Sequence, residues 1–90
     1  MLNTLENLLN LARERKKSPK ENSYTNKLLK DKSLSKAKIL EEINELIEAV
    51  ENDTNKIHEA ADVFYHLLIY LEANDIKIEE IMAELSARKK

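Results

Sequence analysis

One stretch decides the fold of this chain: KIHEAADVFYHLLIYLEA, residues 56–73. Its apolar residues recur at spacings of three and four, which predicts a long α-helix. Residues 60–71 are apolar almost all the way round, so we expect this helix to be buried on most sides, in part against a second subunit. Glu59, Asp62 and His66 share one side of it. Charged groups in such surroundings are costly to bury unless they are paired or bound to metal.

Further helices are predicted on both sides of this stretch. They cover about residues 3–17, capped by Asn3 or Thr4; about residues 33–52, capped by Ser33 or Ser35; and about residues 78–88. The core face of the helix at 33–52 is expected to carry Ile39, Ile43, Leu46, Ile47 and Val50. Residues 20–32 are polar, which favours a loop with one or two helical turns, and 52–55 form a turn.

Composition favours an all-α fold. The chain has no Gly, one Pro and 36% charged residues, so it lacks hairpin turns and is rich in helix formers. We predict a single domain over residues 1–90, a bundle of about four to five helices. A chain of 90 residues buries a small share of its surface, so we expect a homodimer to complete the core.

Cysteine is absent, which excludes disulfides and thiolate zinc sites and favours a cytoplasmic protein. The first 17 residues do not resemble a signal peptide, and no apolar run approaches the ~20 residues that cross a bilayer, so no membrane association is expected.

Charge is divided unevenly along the chain. Residues 13–38 contain ten Lys and Arg against three Asp and Glu, whereas residues 39–84 contain two Lys against thirteen acids. The acidic half argues against a general nucleic-acid partner. A basic segment beside an acidic one could hold a phosphate chain together with divalent cations.

Carboxylates are expected to converge from two helices. Glu42 and Glu45 share a face, as do Glu59 and Asp62, and helices joined by a short turn pack antiparallel, which brings the two pairs face to face. Oxygen ligands suit Mg²⁺, or Mn²⁺ as the alternative. In a generic helical protein such acids form a solvated face, and that interpretation stays open, above all for the acids between 41 and 48.

Three blocks of sequence carry a resemblance: SYTNKLL at 23–29, KILEEINE at 38–45 and EAADVFYHLL at 59–68. Together and in this order they resemble the phosphoribosyl-ATP pyrophosphohydrolase family, within the all-α MazG-like superfamily. The resemblance implies Mg²⁺-dependent hydrolysis of phosphoribosyl-ATP to phosphoribosyl-AMP and pyrophosphate, the second step of histidine biosynthesis, by a homodimer. It also implies that Mg²⁺ is held by Glu42, Glu45, Glu59 and Asp62, with Glu41 as an auxiliary acid.

Further roles are expected around these acids if such a hydrolysis takes place. Either Glu41 or Glu45 is the expected catalytic base. Lys27 and Lys38, which lie in the matched blocks, are expected to contact substrate phosphate, and Arg13, Arg15 and Lys36 are weaker candidates. Tyr24 and Thr25 are expected to bind substrate, although Tyr24 could equally anchor its loop by packing.

Histidines add two further expectations. His66 is expected either to be a hydrogen-bonded core residue or to orient a carboxylate of the site, and His58 is expected at the surface.

Two other functions stay open. One is a general MazG-like nucleoside triphosphate pyrophosphohydrolase, which would keep the metal acids but not need the phosphoribosyl-binding block at 23–29. The other is a non-enzymatic helical dimerisation module, whose acids would be only solvated charge.

Overall fold

The computed structural model describes residues 1–89, which form five α-helices and no strand. The helices are α1 (Asn3–Lys17), α2 (Tyr24–Lys30), α3 (Lys32–Asn52), α4 (Lys56–Ala73) and α5 (Ile78–Arg88). The all-α prediction is confirmed. Within residues 1–89, none of these helices combines the length and the apolar character that crossing a bilayer requires.

Helix starts differ from the prediction at two places. α3 begins at Lys32, because the side chain of Asp31 accepts a hydrogen bond from the Leu34 N–H at 3.0 Å. Aspartate caps a helix as well as serine does, so Asp31, which comes earlier in the chain than Ser33 and Ser35, takes the cap position. Ser35, one of the two predicted caps, is buried within the helix. At the start of α1, the cap position is Leu2 and has no side-chain hydrogen bond, so the predicted caps there are wrong as well.

A three-residue turn connects α3 to α4. Asp53 and Asn55 in this turn have left-handed backbone conformations, with φ of 53° and 39°. Aspartate and asparagine tolerate this region better than other residues with a Cβ atom, because their short polar side chains bond locally. The turn lets the two longest helices pack antiparallel in the most extensive helix–helix contact of residues 1–89.

The hydrophobic core is small and lies where α1, α2 and α4 meet. Ala12, Leu28 and Ile69 are fully buried there. Leu29, Leu34 and Tyr65 pack around them and are partly buried. α2, predicted as one or two turns within a loop, therefore supplies the centre of the core.

The predicted core face of α3 is largely wrong for the single chain. Ile39 is buried, but Ile47 and Val50 are 50% and 57% exposed. The helix instead turns another face inward, marked by buried or partly buried residues at the helical spacing: Ser35, Ile39, Glu42, Leu46 and Ala49. A sequence with apolar residues on two faces does not say which face the chain itself covers. The inward face is the one that carries Glu42.

Ion pairs join α1 to the distal end of α4 and to α5. Arg13 donates from Nε to Glu72 at 2.7 Å, and its two terminal nitrogens bind both carboxylate oxygens of Glu79. Lys16 donates to the backbone carbonyl of Glu72 and to Asp75, both at 2.8 Å. None of the α5 residues is buried, and of these contacts the Arg13–Glu79 pair is the one that reaches α5.

Replacing Glu72 by Gln should destabilise the fold. The substitution leaves the guanidinium of Arg13 without its buried partner, and a hydrogen bond to a charged group contributes about 1.5–3 kcal/mol. We expect the free energy of unfolding, measured by urea denaturation at pH 7, to fall by about 2 kcal/mol. Glu84→Gln is the matched control, because Glu84 makes an exposed ion pair with Arg88. Equal stability of the Glu72 and Glu84 variants would show that the Arg13–Glu72 ion pair does not stabilise the fold.

Candidate active site

Carboxylates from α3 and α4 come together between the two helices. Glu42 and Glu45 on α3 and Glu59 on α4 each place an oxygen within 4.8 Å of the others. All three residues are partly buried. The inward face of α3 brings its acids to α4, so the two helices meet as the sequence predicted.

Asp62 extends this cluster by one turn of α4. One carboxylate oxygen of Asp62, one of Glu59 and one imidazole nitrogen of His58 lie within 4.8 Å of one another. Glu59 therefore belongs to both groups, and the four acids expected to hold metal form one continuous cluster.

Burial makes the charged state of two of these acids unfavourable. The pKa of Glu42 is raised, first by removal from water and then by the negative charge of the neighbouring Glu45 carboxylate. The pKa of Glu59 is raised by the same causes in the same order, with Asp62 adding to the repulsion. Like charges so placed favour either protonation or a bound cation.

Two oxygens of the cluster have no hydrogen-bond partner. They are Oε2 of Glu42 and Oε2 of Glu59, and both atoms are enclosed. Buried polar atoms are nearly always paired, so an unpaired one needs an explanation. Carboxylate oxygens are hard ligands, and enclosed ones that lack protein donors fit a divalent cation such as Mg²⁺.

Tyr24 and His66 connect α2 to the acid-bearing side of α4. The hydroxyl of Tyr24 lies 3.0 Å from Nε2 of His66, and Nδ1 of His66 lies 2.9 Å from the backbone carbonyl of Asp62. A carbonyl only accepts, so Nδ1 of His66 carries a hydrogen, and in that tautomer Nε2 accepts from the tyrosine hydroxyl. His66 is buried and contacts the backbone of Asp62 rather than its carboxylate.

Thr25 and Tyr65 make a parallel connection. Thr25 is buried, and its hydroxyl hydrogen-bonds that of Tyr65. The Tyr65 ring stacks on Tyr24, with 6.4 Å between centroids, and meets His66 edge-on. Sequence reasoning did not single out Tyr65, although a tyrosine on a helix apolar nearly all round needs a partner for its hydroxyl.

Lys38 lies at the edge of the acid cluster. Its Nζ donates to Oε2 of Glu41 at 3.2 Å, and this hydrogen bond is the main cause that raises the pKa of Lys38. Burial raises the pKa of Tyr24, and the nearby charge of Lys38 opposes that rise. Lys38, Glu41 and Tyr24 thus lie at one edge, where Lys38 and Glu41 point toward solvent.

Other basic candidates lie on the surface around α2 and α3. Lys27 is exposed on α2, one turn after Tyr24, and Lys36 is exposed near the start of α3. Arg15 donates to the side chain of Ser23 at 2.9 Å, and Arg13 forms ion pairs with Glu72 and Glu79. The contacts of both arginines are therefore with residues outside the carboxylate cluster.

Comparison with known proteins places this arrangement in a family. The family model described as phosphoribosyl-ATP pyrophosphohydrolase matches residues 4–89. The chain belongs to this family. Its members are hydrolases that act on a phosphoric anhydride, and the resemblance seen in the three sequence blocks is confirmed.

Known relatives match this chain over nearly its full length. The chain is 40% identical to the phosphoribosyl-ATP pyrophosphatase of Clostridium novyi, covering 99% of this chain and 84% of the relative. It is 37% identical to the enzyme of that name from Halobacterium salinarum, covering 99% and 100%. It is also 41% identical to the histidine biosynthesis bifunctional protein HisIE of Pyrococcus furiosus, where it covers 43% of the relative. No solved structure matches the chain.

Glu59→Gln should stabilise the metal-free protein at neutral pH. A raised carboxyl pKa in the folded state means that its contribution to stability is full below the unfolded value, near 4.5, and is lost as pH rises through the folded value. We therefore expect the variant to melt at a higher temperature than the natural chain at pH 7 in EDTA. The difference should shrink as pH falls toward 5.

Glu48→Gln is the control for this measurement, because Glu48 is exposed on α3. Its melting temperature should follow that of the natural chain at every pH. A lower melting temperature for Glu59→Gln at pH 7 in EDTA would show that the buried cluster is not a source of repulsion.

Proposed function

We propose that this chain hydrolyses phosphoribosyl-ATP to phosphoribosyl-AMP and pyrophosphate, in a Mg²⁺-dependent reaction at the carboxylate cluster between α3 and α4. The observation that carries this proposal is the pair of enclosed carboxylate oxygens without partners, on Glu42 and Glu59, in a member of this family. Relatives that match over nearly the whole chain bear the name of this activity.

Four acids would hold the metal: Glu42, Glu45, Glu59 and Asp62. Their donor atoms are all carboxylate oxygens, which suits Mg²⁺, with Mn²⁺ as the alternative. When bound, the cation supplies positive charge that neutralises phosphate oxygens and makes a water more acidic. The acids would fix where the metal, and through it the phosphate chain, is held, because they project from two closely packed helices.

Hydrolysis needs a water to attack the phosphorus that stays with the nucleoside monophosphate, while the bridging oxygen leaves with pyrophosphate. A carboxylate must accept the proton of that water. Glu41 suits this role because it lies at the edge of the cluster, is exposed, and is held by Lys38. Glu45 is the alternative base, since it lies among the other acids and needs no movement to reach them.

Substrate contacts are proposed on the α2 side of the cluster. Lys38 and Lys27 would bind phosphate groups through their ammonium charges. Tyr24 would contact the substrate with its exposed ring edge, while its hydroxyl stays on His66. Thr25 would act through Tyr65, by fixing α2 against α4.

A product assay tests the function directly. With phosphoribosyl-ATP and Mg²⁺, we expect phosphoribosyl-AMP and pyrophosphate in equal amounts, and no product in EDTA. Glu59→Gln and Asp62→Asn should each lower the rate by at least about 10–100-fold, because each removes a metal ligand. Glu48→Gln is the control and should retain the natural rate.

Two results would reject the proposal. Faster turnover of ordinary or damaged nucleoside triphosphates than of phosphoribosyl-ATP would indicate a general pyrophosphohydrolase. No Mg²⁺-dependent hydrolysis of either substrate class would indicate a dimerisation module.

A homodimer in the cytoplasm is the second part of the proposal. α3 and α4 each leave an apolar stripe exposed, with Ile43, Ile47 and Val50 on one and Ile57, Phe64 and Leu67 on the other. Large contiguous apolar surfaces mark interaction sites. The small core of the single chain gives a further reason for a partner. Absence of cysteine favours the cytoplasm.

Light scattering after gel filtration tests the assembly. We expect the mass of two chains, and Ile47→Lys should shift it toward one chain by placing a charge in the proposed interface. Glu48→Lys introduces the same residue at the next position, on the polar side of α3, and should remain dimeric. A natural chain that elutes as a monomer at micromolar concentration would refute the dimer.

A further inference from the structure

His58 occupies a position beside the acid cluster that the proposed hydrolysis does not use. It directly precedes Glu59 and lies one helical turn before Asp62. Its Nε2 atom is 3.3 Å from Oδ2 of Asp62. The imidazole nitrogen and one oxygen from each of Glu59 and Asp62 lie within 4.8 Å of one another.

A nitrogen donor changes which metals such a group prefers. Mg²⁺ is a hard cation that takes oxygen ligands, whereas imidazole suits Zn²⁺ and other first-row transition metals. Zn²⁺ is bound in proteins by histidine nitrogens and by Asp or Glu oxygens, and its catalytic sites combine three protein ligands with one open position. We propose that His58, Glu59 and Asp62 form a site on α4 that binds Zn²⁺ in preference to Mg²⁺.

Geometry on α4 supports this site beyond the presence of acids. All three residues lie on one helix, within its first two turns, so their relative positions are fixed by the backbone. Oε2 of Glu59 is enclosed without a hydrogen-bond partner, so a cation bound by the Glu59 carboxylate would supply what this residue lacks. The His58 side chain is 72% exposed, which leaves a path for a hydrated ion to enter.

The site shares Glu59 and Asp62 with the Mg²⁺ cluster proposed above, but His58 belongs to this site alone. Binding of Zn²⁺ can therefore be followed without measuring hydrolysis. The competing interpretation is that His58 and Asp62 form an ordinary exposed pair across one helical turn, which contributes little.

Nuclear magnetic resonance of the two histidines separates these interpretations. The chain contains only His58 and His66, so a histidine-labelled sample gives two ring signals. Titration of the full chain with Zn²⁺ should shift the His58 signal strongly and saturably, at one ion per chain, with a much smaller change at His66. Titration with Mg²⁺ should leave the His58 ring signal close to its metal-free chemical shift.

Calorimetry with Zn²⁺ supplies a second measurement. His58→Gln should weaken Zn²⁺ binding by at least about tenfold, because one of three protein ligands is lost, and should leave Mg²⁺ binding unchanged. Lys56→Gln is the matched control, exposed in the first turn of the same helix, and should bind Zn²⁺ as the natural chain does. Asp62→Asn should weaken binding of both metals.

Equal Zn²⁺ affinity in His58→Gln and the natural chain, or an unshifted His58 signal at saturating Zn²⁺, would overturn the site. In that case, Mg²⁺-dependent hydrolysis of phosphoribosyl-ATP would still stand. A shifted His58 signal in a chain without any such hydrolysis would support the Zn²⁺ site and reject the proposed function.

Discussion

Repulsion among carboxylates enclosed between α3 and α4 is the constraint on which the rest of the structure depends. Glu42, Glu45 and Glu59 face one another in a partly dry space, where like charges interact more strongly than in water. Burial of apolar side chains on the inward face of α3, such as Ile39 and Ala49, must outweigh this cost for the two helices to stay together. The fold thus holds the acids close together, where their charged forms are unfavourable without a cation and a bound cation would relieve the repulsion.

A second set of contacts fixes α2 relative to these acids. Tyr24 and Thr25, neighbours on α2, bond to His66 and Tyr65, neighbours on α4. Because His66 also bonds the backbone carbonyl of Asp62, the tyrosine hydroxyl is connected through one ring to an acid of the cluster. The segment that carries Lys27 therefore has a defined position with respect to the cluster, although it is only two turns long.

Sequence periodicity predicted the long helices and the meeting of the two acidic pairs, because both follow from spacing along one helix and a short turn. It did not predict which face of α3 turns inward. Ile43 and Ile47 are as apolar as Ile39, and only packing decides that they stay exposed. Tyr65 was missed because a tyrosine in an otherwise apolar stretch of helix has the pattern of a core residue. Its partner, Thr25, lies 40 residues away, so local pattern could not pair them.

The two sides of α4 differ in chemistry: one carries acids of the cluster and the other carries apolar residues. At about 100° per residue, Glu59 and Asp62 lie opposite Ile57 and Phe64. The acid side is covered by α2 and α3 of the same chain, whereas the apolar side stays open. Helices of one chain therefore bring the acids of the cluster together, and the exposed apolar residues on the opposite side of α4 take no part in it. A chain too short to bury both sides of its central helix can in this way keep one side for chemistry.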